Sequence, residues 1–147
     1  MKRHLFVTGF LLVASGCGSA VAAAEPGPGE SQEGRLEIRV EGLRGGEGNV
    51  VLAVYDNKAA FNENGVPLAW VSVPANSQRI SVAGFPPGKV AIAAFHDTNR
   101  NGEYDMKGGI PLEGWGYSGV ISSWSEPNFD AAITDIGNVT IQMHYYN

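Results

Sequence analysis

The sequence predicts an all-β domain, a single immunoglobulin- or transthyretin-like sandwich of about seven strands with one long glycine- and aromatic-rich loop. Short apolar runs recur between turn-forming residues, and no segment sustains a helical period. Two of the runs are apolar on both faces, as central strands of a covered sheet are.

The elements follow in order. Leu36, Ile38 and Val40 alternate with Glu37, Arg39 and Glu41, which gives a strand with one wet face. A glycine-rich turn from Gly45 to Gly48 leads into Val50–Tyr55, apolar on both faces. Asn57 to Pro67 reads as a polar loop. Leu68–Val73 and Arg79–Ala83 follow, separated by the turn Pro74-Ala75-Asn76. Pro86-Pro87-Gly88 is a further turn, and Val90–Phe95 is the second run apolar on both sides. Met106 to Asn128 shows no clear strand. The last strand alternates Val139, Ile141, Met143 and Tyr145 with Thr140, Gln142, His144 and Tyr146. Gly48-x-Val50-x-Leu52-Ala53-x-Tyr55 echoes Gly88-x-Val90-x-Ile92-Ala93-x-Phe95, with Gly42-Leu43 and Gly84-Phe85 ahead of the two copies. An old duplication and two central strands under the same packing demand both account for that echo.

The amino terminus indicates export. Lys2 and Arg3 precede an apolar run from Leu5 to Ala14, too short to span a bilayer, and small residues follow. Ala14-Ser15-Gly16-Cys17 resembles a lipobox, which makes residues 1–16 a signal peptide and Cys17 the acylated amino terminus. Ala22-Ala23-Ala24 before Glu25 fits ordinary signal peptidase instead, with residues 1–24 removed. Residues 17–34, rich in Ala, Gly, Pro and Glu, form a flexible linker, and residues 35–147 form the domain. The expected location is periplasmic or anchored to the outer membrane as a lipoprotein, otherwise secreted.

Charge narrows the partners. The chain has 10 basic and 15 acidic residues. Loss of Lys2 and Arg3 leaves 8 against 15, a net charge of −7. That acidity argues against nucleic acid, and against a membrane contact other than a lipid anchor at Cys17. Cys17 is the one cysteine, so the domain forms no internal disulfide.

The most specific stretch lies between Asp97 and Asp105, D-T-N-R-N-G-E-Y-D. Asp97, Asn99 and Asn101 place oxygen donors at every second position, Gly102 permits a sharp turn, and Asp105 returns a carboxylate. These occupy the first, third, fifth, sixth and ninth places of a calcium loop of the EF-hand type, with the Glu103 carbonyl in the seventh. The twelfth place holds Gly108 where an EF-hand has a bidentate glutamate, and a strand precedes the loop in place of a helix. Glu113 is the residue able to fold back and close it. With Asp97 and Asp105 as the only certain charges, calcium affinity is expected in the weak class, roughly 0.1 to 1 mM. Asx-turns without metal explain the same residues.

From Ala94 onward the chain resembles a known family. Ala94-Phe95-His96-Asp97-x-Asn99-x-Asn101-Gly102-x-x-Asp105 and Gly109-Ile110-Pro111-x-Glu113-Gly114-Trp115-Gly116-Tyr117-Ser118 look like bacterial domain-of-unknown-function family 2141. Gly42-Leu43-Arg44, Tyr55-Asp56 with Phe61, Pro86-Pro87-Gly88 and Pro127-x-Phe129-x-x-Ala132 fit the same pattern, so the resemblance spans roughly residues 36 to 146. It implies a secreted or envelope-associated β-sandwich and no established activity.

Trp115, Tyr117 and Trp124 stand among glycines in the segment after the calcium-type loop. Such aromatics stack on sugar faces or anchor a protein partner when exposed, and cap the core when they fold back. Catalytic patterns are lacking: there is no G-x-S-x-G elbow, no H-E-x-x-H helix and no phosphate loop. His96 ends a core strand beside Asp97, where an ordering hydrogen bond is the simplest role. His144 falls on the polar face of the last strand, and the two histidines alone are too few for a zinc site. Two functions stay open: a non-catalytic module binding an unknown protein or carbohydrate, and a small extracytoplasmic hydrolase using carboxylates such as Asp97, Glu103 or Glu113.

Overall fold

The computed structural model describes residues 34–63, 65–120 and 127–146. They form an all-β sandwich of two sheets over one apolar core. The three-stranded sheet has the order β10(Asn138–Gln142), β1(Gly34–Glu41), β4(Arg79–Phe85), with β1 parallel to β10 and antiparallel to β4. The other runs β3(Ala69–Pro74), β2(Asn49–Tyr55), β5(Lys89–Asp97), β8(Gly114–Tyr117), and β9(Ile133–Asp135) also pairs with β5. A two-residue pair, β6(Met106–Lys107) and β7(Ile110–Pro111), makes a small hairpin.

Period-two patterning produces this arrangement. Leu36, Ile38 and Val40 of β1 face inward, with Ile80 of β4 and Val139 and Ile141 of β10. Val50, Leu52 and Val54 of β2 meet them from the second sheet, beside Val90, Ile92 and Ala94 of β5. Fully burying each such aliphatic side chain contributes about 1.5–3 kcal/mol relative to exposure. The echoed segments are thus two adjacent antiparallel strands, Val50 opposite His96 and Val54 opposite Ile92, both covered on each side.

Two short helices, absent from the sequence expectation, give β2 and β5 their second apolar face. The stretch read as a polar loop contains α1(Lys58–Asn62), capped by Asn57, whose side chain accepts from the Ala60 N–H at 2.9 Å. α2(Phe129–Ala132) is capped in the same way by Asn128. Phe61, Phe129 and Ala132 lie over Ala53, Tyr55 and Ala91, a second apolar cluster on the outer face of the larger sheet. The Asn62 side chain accepts from the Phe129 N–H at 3.2 Å, and Lys58 pairs with Asp130, so the helices hold one another.

The segment from Met106 to Asn128, read as lacking a clear strand, contains β6, β7 and β8. In β8 the core-facing positions are Gly114 and Gly116, so no apolar alternation marks it. A Cβ on Gly114 would stand 2.4 Å from the Tyr145 ring, and one on Gly116 2.6 Å from the Gln142 carbonyl. Glycine lets the carboxy-terminal segment cross from one sheet to the other here, where Trp115 and His144 exchange backbone hydrogen bonds of 2.9 and 2.7 Å. Ser118, fully buried, accepts from the Ile92 N–H at 2.8 Å and donates to the Ala132 carbonyl at 2.6 Å. It fastens the end of β8 to β5 and α2.

Candidate functional site

Strand β5 ends at Asp97, which is 1% exposed. Its Oδ1 accepts from the Asn101 N–H at 3.0 Å and its Oδ2 from the Gly102 N–H at 2.9 Å, so one carboxylate holds the turn from below. Asn99 Oδ1 accepts from the Asn101 N–H, and Asn101 Oδ1 from the Glu103 N–H, at 3.0 and 2.9 Å. The Asn99 and Asn101 amides both donate to the Asp105 carboxylate, Asn99 at 2.6 Å. The Glu103 side chain is exposed. Asp97, Asn99, Asn101 and Asp105 are therefore brought together as a linked set of short-range bonds. The turn has a left-handed residue at Arg100 as well as at Gly102.

Glu113 closes the loop from outside it. Its side chain, 3% exposed, accepts from the Thr98 N–H at 3.1 Å through Oε1 and from the Asp105 N–H at 3.3 Å through Oε2. Burial raises this carboxyl above its ordinary pKa; the two backbone bonds oppose the rise, and the Asp105 and Asp97 charges add to it. A carboxyl raised on folding favours the folded state fully below its unfolded value of 4.5, and that contribution is lost as pH climbs through the raised folded value. Replacing Glu113 with Gln is expected to remove this component, so the wild-type minus variant stability difference should fall as pH rises from about 4 upward. Denaturant titrations at several pH values check it, and a pH-independent difference would contradict it.

The same loop places Tyr104 over the outer face of the larger sheet. Its ring centroid lies 5.7 Å from that of Phe95 on β5, and Phe95 lies 6.1 Å from Trp70 on β3. Trp70 is 55% exposed and Tyr104 36%. This row borders a groove of about 340 Å³, which Tyr55, Phe61, Pro67, Trp115 and Tyr117 also line. No charged side chain lines it among the described residues. Burial, with lesser effects from Tyr117 and Glu113, pushes the Tyr104 phenol well up; burial does the same to Tyr55 and Tyr117. All three hydroxyls are therefore neutral donors at physiological pH.

The aromatics singled out from sequence are distributed unequally. Trp115 is buried on β8 beside Phe95 with its ring near His144, Tyr117 is half-buried in the groove, and Trp124 lies outside the described residues, as do Cys17 and the signal and linker segments. Trp70, Phe95 and Tyr104 were not among them. The available signal was an exposed tryptophan in the alternating run Ala69–Pro74.

The histidines take structural positions. His96 is 1% exposed, with Nε2 at 2.7 Å from the Glu47 carbonyl and Nδ1 at 2.8 Å from the Tyr145 hydroxyl. The carbonyl can only accept, so Nε2–H donates to it. Its ordering bonds thus run to Glu47 and Tyr145, and not to the neighbouring Asp97. His144, expected on the surface, is half-buried against Trp115.

Among the described residues no three histidine, cysteine, aspartate or glutamate side chains are grouped to hold a metal ion, and no helix is long and apolar enough to cross a membrane. The loop's other oxygens belong to amides and carbonyls, which suit calcium by hardness. A calcium ion here would have to take the Asp105 carboxylate from two amide donors.

A family model described as an uncharacterized protein conserved in bacteria (DUF2141) matches residues 38–143. No curated protein and no solved structure matches the chain.

Proposed function

The chain belongs to the uncharacterised bacterial family DUF2141, and we propose that it is a non-catalytic binding module whose aromatic groove takes a neutral carbohydrate. The observation that carries this reading is the row Trp70–Phe95–Tyr104, half-open to solvent, with its last ring supplied by the Asp97–Asp105 loop. Flat aromatic faces stack on the apolar faces of sugars, and the three phenols supply hydrogen bonds at the edges. A groove of about 340 Å³ is in the range of small-ligand sites. Among the described residues the lining is uncharged, which favours an uncharged ligand and offers a hydrolase no general acid. Asp97 and Glu113 are committed to backbone N–H groups of the loop. Screening the domain on an array of neutral glycans tests this. Trp70→Ala is expected to weaken any glycan bound by about tenfold, the loss of about 1.4 kcal/mol typical of an anchoring aromatic. Equal binding by wild type and Trp70→Ala would exclude the groove.

The proposal includes two further elements. Asp97, Asn99, Asn101, Asp105 and the Glu103 carbonyl hold calcium weakly, and the ion stiffens the support of Tyr104. Calcium at ten times its Kd should stabilise the fold by roughly 1.4 kcal/mol. An unchanged melting temperature at several millimolar calcium, in chelator-treated protein, excludes the ion. The chain is also exported, with acylation at Cys17; Cys17→Ser should then leave the membrane fraction, and its retention there would contradict the anchor.

A further inference from the structure

We propose that the outer face of the three-stranded sheet carries a second site, for a phosphate-type oxyanion, centred on Arg39 and Arg79. The β1–β4 register sets these residues directly opposite one another. Ile38, Val40 and Ile80 beside them point into the core, so both guanidinium groups stand on the solvent face. Like charges directly opposed across two strands repel, an arrangement that a bound anion converts into attraction.

The surroundings favour an anion. Arg39 has Thr140 of β10 as its other cross-strand neighbour, and the two arginines, Thr140 and Asn138 line a hollow of about 330 Å³. Arg39 pairs through Nε with the exposed Glu41 at 2.9 Å. The Arg79 side chain has no ion pair or hydrogen bond among the described residues. Among the described residues Glu37 is the one carboxylate lining the hollow. It is occupied by the Ser81 hydroxyl at 2.7 Å, which in turn accepts from Arg35 at 2.9 Å. Arg35, Arg39 and Arg79 against Glu37 and Glu41 leave this face with one net positive charge, in a chain whose net charge is −5. Guanidinium forks match the paired oxygens of phosphate, and the Thr140 hydroxyl and Asn138 amide are neutral donors beside them. The site is independent of the aromatic groove, which lies on the other sheet.

Inorganic phosphate, free or as a lipid headgroup, is the chemistry to test on the full chain. Melting temperature is measured in phosphate and in chloride at matched ionic strength, and co-sedimentation with phosphatidylglycerol vesicles is compared with phosphatidylcholine vesicles. Phosphate should raise the melting temperature of wild type, with affinity at least about tenfold weaker in Arg79→Ala. In chloride Arg79→Ala should melt no lower than wild type, because the opposed charges are gone. Vesicle binding that is specific to phosphatidylglycerol and lost in Arg79→Ala assigns the oxyanion to a headgroup; a phosphate response without it assigns a free anion. No response in either arm, or the same response in Arg79→Ala, overturns the proposal.

Discussion

Replacing Gly48 with alanine should destabilise the domain by about 3 kcal/mol or more, with a fall in melting temperature of about 10 °C or more. Gly48 has φ +78° at the entry to β2, and an added Cβ would lie 2.2 Å from the Asp97 carbonyl oxygen and 2.7 Å from the Thr98 Cα. Both are backbone atoms, so no rotamer change relieves the contact. The left-handed conformation contributes about 1–2 kcal/mol of strain and the overpacking about 1–3 kcal/mol more. The displaced atoms begin the candidate loop, so the damage extends to the Asp97 carboxylate. Gly45 is the control: it has the same φ of +78° but nothing within 4 Å of an added Cβ. Gly45→Ala should therefore show the backbone strain alone. Equal losses in the two variants would mean that the close approach of β2 to Asp97 is not as described.

Asp97→Ala should cost about 2–3 kcal/mol, the second-largest effect expected here. The carboxylate is buried beneath the turn and accepts from both Asn101 and Gly102. Hydrogen bonds to a charged group contribute about 1.5–3 kcal/mol each, but Asn101 and Gly102 are exposed and regain water when the acceptor is lost, which lowers the sum. Asp97→Asn keeps one acceptor and should cost about half as much. Hydrogen exchange of the Asn101 and Gly102 amides gives a local readout, with faster exchange at both in the alanine variant and at one in the asparagine variant. An unchanged stability in Asp97→Ala would remove the carboxylate as the keystone of the loop.

What could be read from the sequence follows the range of the interactions involved. The loop was legible because its bonds are local: Asp97 reaches residues four and five ahead, and Asn99 and Asn101 reach two ahead through their oxygens and six and four ahead, to Asp105, through their amides. Glu113 was considered as the missing bidentate ligand; that it accepts from the Thr98 and Asp105 N–H groups needed the fold to show it, since Thr98 and Glu113 are 15 residues apart. Strands β1 and β10 were legible from alternation, and β2 and β5 from runs apolar on both faces. What covers those second faces was hidden, because helices of five and four residues are too short to display a period. Strand β8 was hidden by glycines placed where an apolar residue would have revealed it. The aromatic row was hidden because Trp70, Phe95 and Tyr104 come from two strands and a loop, joined only by cross-strand register.

The role proposed for the Asp97–Asp105 loop, holding one aromatic wall of the groove, is tested by the affinity of Tyr104 variants for a glycan bound by the wild-type domain. Tyr104→Phe keeps the ring against Phe95 and should retain most of the affinity. Tyr104→Ala should lose about tenfold while its melting temperature stays within a few degrees of wild type. Wild-type affinity in Tyr104→Ala would rule out that role for the loop.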